Sequence, residues 1–239
     1  MTTHPLDTPS DSIRIAQFIA RTRAIGPGLH TGVWVQYCPM RCRGCISPQF
    51  LDEAGGSDVT IAKLAADILA VEDSDGVFFS GGEPFAQAGA LADLVDEVRR
   101  HRDLSVMSYS GYPLEHLRHH GDADQHRLLE RLDILVDGPY LPERHAPLRW
   151  RGSSNQRVHV LTNRHPHLLE GPDESAGIET RVRHDGSIEV VGVPPIPDFT
   201  ERFLEELASA GVLVEPPARR GTPRRQPPVT TTDTLENDR

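Results

Sequence analysis

All three cysteines of the 239-residue chain, Cys38, Cys42 and Cys45, lie within one stretch of eight residues. The chain between them is too short to let the three thiols separate widely in the folded protein. Soft thiolate ligands select iron–sulfur clusters, zinc or cuprous copper. Zinc and ordinary four-iron clusters take four protein ligands, so three thiolates on a four-iron cluster leave one iron open to a small molecule. A zinc site would instead be completed by a histidine, either His30 or a more distant one.

The bulk composition argues against several classes of partner. The chain carries 35 acidic and 25 basic residues, a formal net charge of −10, which disfavours binding of a nucleic-acid backbone. No apolar run is as long as a membrane span, and residues 1–12 lack the basic and apolar regions of a signal peptide. An odd number of clustered cysteines fits a reducing compartment better than a disulfide framework. We therefore expect a cytoplasmic protein with neither nucleic-acid nor membrane partners.

Strand-like and helix-like patterns alternate through the middle of the chain. Runs of β-branched and aromatic residues predict strands, and apolar residues at helical spacing predict helices. The predicted strands are residues 33–35, 76–80, 104–109 and 134–136, with a short edge strand at 13–18; the predicted helices are residues 60–71, 91–98, 114–117 and 124–132. This alternation is typical of parallel strands joined by helical crossovers.

The alternating region is shorter than the roughly 250 residues of a complete eight-fold barrel, so we expect an open, curved sheet. After residue 160 the pattern changes to a hairpin signal around His184-Asp185-Gly186 and a helix that begins near Asp198. The predicted organisation is a mobile leader (1–12), a core (13–160), an extension of hairpin plus helix (161–214) and a disordered tail (215–239).

A second motif, Gly81-Gly82-Glu83-Pro84, follows the predicted strand at 76–80. Glycines let a ligand approach the backbone closely, and a carboxylate beside them can accept from an ammonium group in a charge-assisted hydrogen bond. Ligands collect at the carboxyl ends of strands in open α/β sheets, where the cysteine stretch also falls. A plain strand-to-helix turn remains the alternative interpretation.

The spacing C-x3-C-x2-C is similar to the cluster motif of the radical S-adenosylmethionine (radical SAM) enzymes. Further segments resemble the activating proteins of anaerobic ribonucleoside-triphosphate reductases, and the resemblance covers roughly residues 13–160. In chain order these segments are residues 26–28 (GPG) leading to 33–35 (VWV), 80–84 (SGGEP) and 150–156 (WRGSSNQ), with weaker matches at 110–112 (SGY) and 135–138 (LVDG).

The resemblance implies an α/β fold, an incomplete (open) radical SAM βα barrel to which the extension and tail are added. It implies a [4Fe-4S] cluster held by the three cysteines, and S-adenosylmethionine (SAM) as the second cofactor, with Gly82 and Glu83 at its amino group. The cofactor-binding residues implied or proposed are Gly44, Cys45, Ile46, Gly81, Gly82, Glu83, Ser110, Asp137 and Asn155. Four positions depart from the family. Ile46 and Ser47 stand where an aromatic residue and Asn are usual, Glu83 stands where the nearest activating proteins have Asp, and Tyr37 is larger than the residue usual before the first cysteine.

The implied reaction is reductive cleavage of SAM to methionine and a 5′-deoxyadenosyl radical, which abstracts a hydrogen atom. The favoured role is an activase that installs a glycyl radical on a partner enzyme, with an anaerobic ribonucleotide reductase as the candidate and flavodoxin or ferredoxin as the one-electron donor. A radical SAM enzyme acting directly on a small molecule or peptide is the alternative, with residues 161–214 closing the open face. A non-catalytic iron–sulfur electron carrier or a zinc-stabilised binding module is the alternative from another class.

Overall fold

The computed structural model describes residues 11–184, 186 and 188–212. The described chain up to Phe199 forms one compact unit, and the described residues from Thr200 belong to a second. The predicted tail at 215–239 and nearly all of the predicted leader lie outside the described residues. The boundary predicted after residue 160 stays a prediction.

The described chain contains eleven strands, five α-helices and three short 3₁₀ helices. In chain order the strands are β1 (Ser12–Thr22), β2 (His30–Val35), β3 (Ser57–Thr60), β4 (Gly76–Gly81), β5 (Ser105–Ser110), β6 (Ile134–Asp137), β7 (His145–Leu148), β8 (Arg151–Ser153), β9 (Arg157–Val160), β10 (Ile178–Val182) and β11 (Ile188–Gly192). The helices are α1 (Ile61–Leu69), α2 (Ala88–Arg99), α3 (Leu114–His120), α4 (Ala123–Leu129) and α5 (Phe199–Ser209).

Seven strands form the main sheet in the order β3-β1-β2-β4-β5-β6-β9. The four central strands β2, β4, β5 and β6 run parallel, as the strand–helix alternation predicts. Antiparallel strands flank them, with β1 and β3 on one side and β9 on the other. The open α/β sheet is confirmed, but the edge position expected for residues 13–18 is wrong. β1 pairs on both of its sides, because its first residues form a ladder with β3.

Alternate residues of the strands point to opposite faces of the main sheet and build two separate apolar clusters. On one face, Phe79 packs with Leu91 and the other apolar residues of the crossover helices. On the opposite face, Trp34 and Phe78 meet edge to face with ring centroids 4.9 Å apart, in a cluster that includes Val191 of β11. Because both faces are covered, the carboxyl ends of the parallel strands remain as the edge that can bind ligands.

The extension after residue 160 contains the predicted hairpin and helix. β10 and β11 pair antiparallel from Ile178↔Gly192 to Val182↔Ile188, while Asp185, at the predicted turn, lies outside the described residues. The helix α5 begins at Phe199, close to the predicted start. Across the described residues, no helix has both the length and the apolar character that crossing a membrane requires.

His30, the first residue of β2, is a histidine with a fully buried side chain. Neither ring nitrogen has a hydrogen-bond partner. Gly76 packs so closely on the ring that a Cβ there would lie 2.5 Å from Nε2. Burial lowers the pKa of His30 to about 4, although Asp75 opposes the shift. The folded protein therefore holds this imidazole neutral at a pH where an exposed histidine is already charged.

His30 should make the protein sensitive to mild acid. In the unfolded chain His30 takes up a proton near pH 6.5, and in the folded chain only near pH 4. The stability that the folded protein has with His30 neutral is therefore fully present above pH 6.5 and is lost as the pH falls toward 4. The loss should reach about 3 kcal/mol. Urea unfolding between pH 7.5 and pH 4.5 should show a shallower pH dependence in His30→Phe than in the wild type. An equal slope in both proteins would contradict the assignment, and the exposed His119→Phe is the control.

Candidate functional site

The segments that the sequence singles out converge at one edge of the main sheet. The cysteine stretch follows β2, the Gly81–Glu83 turn follows β4, and Ser110 and Asp137 end β5 and β6. Since these four strands are parallel neighbours, their carboxyl ends lie side by side. The topology therefore places residues that are about 100 positions apart in sequence around one site.

The cysteine stretch forms a loop whose two ends are hydrogen-bonded to each other. The backbone N–H of Tyr37 donates to Phe50 O at 2.9 Å, and that of Cys38 donates to Leu51 O at 3.2 Å. Tyr37 and Gly44 adopt positive φ values of 79° and 69°, which give the chain two sharp changes of direction. We call residues 38–50 the cysteine loop.

The Cys38 thiol is buried beside other acidic groups. Burial raises its pKa, backbone N–H groups of Met40 and Arg41 lower it, and Glu83 and Cys45 raise it further. N–H groups close to a thiol stabilise the thiolate form, which is the form that binds metals. Cys38 thus lies within electrostatic reach of both Glu83 and Cys45.

The other two thiols are half-buried. Burial raises the pKa of Cys45, the Ser47 backbone N–H lowers it, and the charge of Cys42 raises it. That N–H of Ser47 lies 3.5 Å from Cys45 Sγ. Cys45 thus lies within electrostatic reach of both other cysteines, and N–H donors lie near two of the three sulfurs.

The structure excludes His30 as the fourth ligand of a zinc site at the three cysteines. His30 begins β2, whose six residues place it about 17 Å from the end where the cysteine loop starts. It is too far away to complete a site there.

Gly82 fits closely beneath the cysteine loop. Its N–H donates to Val35 O at 2.8 Å, and the next N–H, of Glu83, donates to Tyr37 O at 2.8 Å. A Cβ at Gly82 would lie 2.1 Å from Tyr37 O, well inside van der Waals contact. Glycine is therefore required by the approach of the two backbones, whether or not a ligand binds here.

Glu83 is the buried charged group of the site, with 1% of its surface exposed. Its Oε1 accepts from Phe85 N at 2.9 Å and from Ser110 Oγ at 3.0 Å, and its Oε2 accepts from Gly111 N at 2.8 Å. Among the described residues, no cationic side chain forms an ion pair with it. Burial raises the pKa of Glu83 to about 7, although these donors oppose the shift. A carboxylate has about four acceptor positions, so three donors leave one for a ligand.

Asp137, predicted at the cofactor rim, is occupied by contacts within the protein. Its Oδ2 accepts from Leu114 N at 2.6 Å and lies 3.1 Å from an Arg157 guanidinium nitrogen and 3.0 Å from His159 Nε2. These contacts tie the start of α3 and strand β9 to the end of β6. A capping carboxylate and a ligand-binding carboxylate both occur at strand ends, so sequence position could not separate the two roles.

The motif at residues 151–156 also fastens backbone. Gln156 Oε1 accepts from the N–H groups of Gly152 and Ser153, and its Nε2 donates to Gly138 O at 3.1 Å. Asn155 Nδ2 donates at 2.8 Å to the carbonyl of the residue after Gly138. Asn155 Oδ1 is buried and has no hydrogen-bond partner within the described structure. Asn155 Oδ1 therefore remains available to accept a hydrogen bond from a ligand or a partner.

A cavity of about 310 Å³ opens next to the cysteine loop. Its lining residues are Cys42, Arg43, Pro139, Tyr140, Leu141, Pro142 and Glu143. A Cβ at Gly44 would lie 2.8 Å from Pro142 Cγ, so this wall packs directly on the loop, while Ile46 is 46% exposed.

Sequence reasoning missed this wall of the cavity and also missed the two backbone N–H groups that bind Glu83. Backbone donors leave no residue signature.

Comparison with known proteins gives consistent matches. The family described as a 4Fe-4S single cluster domain matches residues 24–159. The anaerobic ribonucleoside-triphosphate reductase-activating protein of Vibrio cholerae is 33% identical over 145 residues, 57% of this chain and 91% of the relative. The protein of that name from Escherichia coli K12 is 30% identical over the same shares. The pyruvate formate-lyase-activating enzyme of Clostridium pasteurianum is 32% identical over 116 residues, 46% of this chain and 45% of that enzyme.

The packing of Gly82 generates a test of the site's construction. Gly82→Ala should lower the free energy of unfolding of the metal-free chain by about 2 kcal/mol or more, because the new methyl group overlaps a backbone carbonyl. Gly152→Ala is the control, since a Cβ there would meet side chains and no backbone: the Tyr140 ring at 3.3 Å, which can shift, and Gln156 Oε1 at 3.9 Å. Urea unfolding measures both variants. Equal stabilities of Gly82→Ala and wild type would show that the turn is not packed as described.

Proposed function

The chain belongs to the radical SAM activating enzymes with a 4Fe-4S single cluster domain, and on that premise we propose that it installs a glycyl radical on a partner enzyme of the anaerobic ribonucleotide reductase type. The observation that carries the proposal is the convergence of the cysteine loop and the buried Glu83 carboxylate at one edge of the sheet. The names of the relatives, reductase-activating and pyruvate formate-lyase-activating proteins, support a protein target.

We assign Cys38, Cys42 and Cys45 as the protein ligands of the [4Fe-4S] cluster. Iron ligation stabilises the thiolate forms that burial alone disfavours. The N–H groups around Cys38 and Cys45 suit sulfurs that carry negative charge. Three ligands leave one iron for SAM, whose amino acid end would bind there.

Glu83 would hold the amino group of SAM through its remaining acceptor position. The group arrives as an ammonium, and a buried carboxylate without an ion-pair partner is its complement. Ser110 orients Glu83 through its hydroxyl, and Gly81 and Gly82 keep the turn close to the loop. Further proposed contacts are Gly44, Cys45 and Ile46 of the cysteine loop with SAM, and the unpaired Asn155 Oδ1 with SAM or the partner. Asp137 is proposed at the rim of the SAM site, where its contacts with Leu114 N and Arg157 would hold the rim in place.

When bound, the cluster and SAM supply one electron and a radical able to take a hydrogen atom from a glycine Cα. The residues of this chain supply position and shielding instead of acid–base chemistry. The turn at Gly82–Glu83 is hydrogen-bonded to the backbone just before Cys38, at Val35 O and Tyr37 O. A ligand on Glu83 is thereby kept in a fixed relation to the sulfurs. The electron itself would come from a reduced flavodoxin or ferredoxin.

The cysteine loop is accessible to a protein partner. The side chains of Arg41 and Arg43 on either side of Cys42 are 59% and 87% exposed. Ile46 adds an exposed apolar side chain to the same loop. A loop that carries the reactive centre and is open to solvent suits a macromolecular target better than a small molecule that must be enclosed.

One observation favours the second candidate, a radical SAM enzyme acting on a small molecule or peptide. The matched family region ends at residue 159, and this chain continues with β10 and β11, whose Val191 is buried against the second face of the sheet. Such an addition would suit an enzyme that encloses its own substrate.

The two candidates predict different products. Reconstituted protein, SAM, dithionite or reduced flavodoxin, and an anaerobic ribonucleotide reductase should give the electron paramagnetic resonance (EPR) doublet of a glycyl radical, together with one 5′-deoxyadenosine per radical formed. The Cys42→Ala variant is the control and should give neither product. Release of 5′-deoxyadenosine without a protein radical would favour the small-molecule candidate.

Glu83 should make SAM binding depend on pH. The free carboxyl group has a pKa of about 7, and the ammonium group of SAM binds the ionised form. Affinity should therefore fall about tenfold between pH 8 and pH 6. In Glu83→Gln, SAM should bind about tenfold more weakly at pH 8, with little pH dependence, while iron content is unchanged. Calorimetric titration of the reconstituted protein measures this. A pH profile in Glu83→Gln that matched the wild type would contradict the role of Glu83.

Removing one thiol should abolish the cluster without unfolding the chain. Cys42 lies half-buried in the cysteine loop, outside both apolar clusters, so Cys42→Ala should change the free energy of unfolding of the metal-free chain by less than about 1 kcal/mol. After anaerobic reconstitution it should hold little iron or sulfide. A full complement of iron in this variant would show that another group is the third ligand.

A further inference from the structure

One buried side-chain amide closes the cysteine loop. Gln36, two residues before Cys38, is 2% exposed. Its Nε2 donates to Asp52 O at 2.6 Å and lies 3.4 Å from Gln49 O. Both carbonyls belong to the segment at the far end of the loop. The Gln36 side chain therefore joins the entry and the exit of the cysteine loop, next to the two backbone hydrogen bonds already described.

A second buried amide holds the backbone of Gln36 in place. Gln87, the last residue of the 3₁₀ helix that follows Glu83, donates through Nε2 to Gln36 O and to Arg14 O, both at 3.0 Å. Its Oε1 accepts from Arg14 N at 2.8 Å. Every polar atom of the Gln87 side chain is thus used to join β1, the start of the cysteine loop and the Glu83 turn.

Two glycines leave room for the Gln36 side chain. A Cβ at Gly55 would lie 2.5 Å from Gln36 Nε2, and a Cβ at Gly56 would lie 2.9 Å from Gln36 Cβ. Gly56 also adopts a positive φ of 74°. The segment at Gly55 and Gly56 therefore packs closely against the Gln36 side chain, with no room for a larger residue at either position.

We propose that Gln36 is a positioning residue for the cluster: it closes the cysteine loop and thereby sets how firmly the three thiols hold iron. The proposal rests on the assignment of these cysteines as the cluster ligands. Gln36 has no atom among the ligands and acts through the loop that carries them. Residues that orient metal ligands typically change metal affinity 10- to 100-fold when they are replaced, and a hydrogen bond in a buried site is stronger than one in water.

Gln36→Met tests the proposal, because methionine has a similar length and cannot donate to the two carbonyls. After anaerobic reconstitution, its cluster should lose iron to a chelator about tenfold faster than the wild-type cluster. The EPR spectrum of the dithionite-reduced cluster should also differ from that of the wild type, and adding SAM should change the spectrum less. Gln17→Met is the matched control, since Gln17 lies in β1 and its side chain contacts Glu189, away from the loop. Its cluster should behave like that of the wild type.

A second variant covers the case in which Gln36→Met does not fold. Gly55→Ala keeps every polar group and introduces a methyl group 2.5 Å from Gln36 Nε2, which should displace the amide and accelerate iron loss in the same direction. Wild-type rates of iron loss and a wild-type EPR spectrum in a folded Gln36→Met or Gly55→Ala protein would overturn the proposal. A wild-type protein that binds no iron would overturn the ligand assignment as well, and so the two failures can be told apart.

Discussion

The site depends on the backbone hydrogen bonds between the end of β2 and the turn that follows β4. The N–H groups of Gly82 and Glu83 donate to the carbonyls of Val35 and Tyr37, which continues the pairing of the two parallel strands beyond their ends. This short extension brings a loop of thiols and a buried carboxylate to within electrostatic reach of each other. No side chain could replace it, because the fit requires that Gly82 have no Cβ.

The fold buries the carboxyl group of Glu83 in an environment that disfavours its ionised form. A carboxylate buried without a cation is costly, and here three donors reduce the cost without removing it, as the raised pKa indicates. In the proposed complex, the ammonium group of SAM would complete the hydrogen bonding of this carboxylate. The same burial that disfavours the ionised form in the free protein would then strengthen its interaction with the bound cation.

Sequence patterns predicted the parallel centre of the sheet, because hydrophobic periodicity distinguishes strands from helices. They also predicted that the cysteines and the Glu83 turn follow strand ends, because both are short motifs placed directly after apolar runs. They failed for β9 and for the inner position of β1, since pairing between distant strands leaves little local pattern. Asp137 was predicted at the cofactor rim, which stays a prediction; its contacts with Leu114 N and Arg157 could not be read from the sequence. The bonds of Gln36 went unnoticed because their acceptors are backbone carbonyls, which every residue has.

The second face of the main sheet is filled by packed apolar side chains. Trp34, Phe78, Trp150 and Val191 pack together on that face and keep it covered. For the proposed activase, a target residue would therefore come over the rim of the sheet, alongside the cysteine loop. Recognition of a protein target would then depend mainly on how far a flexible segment of that target can extend from its own surface. The shape of a binding pocket in this chain would matter much less.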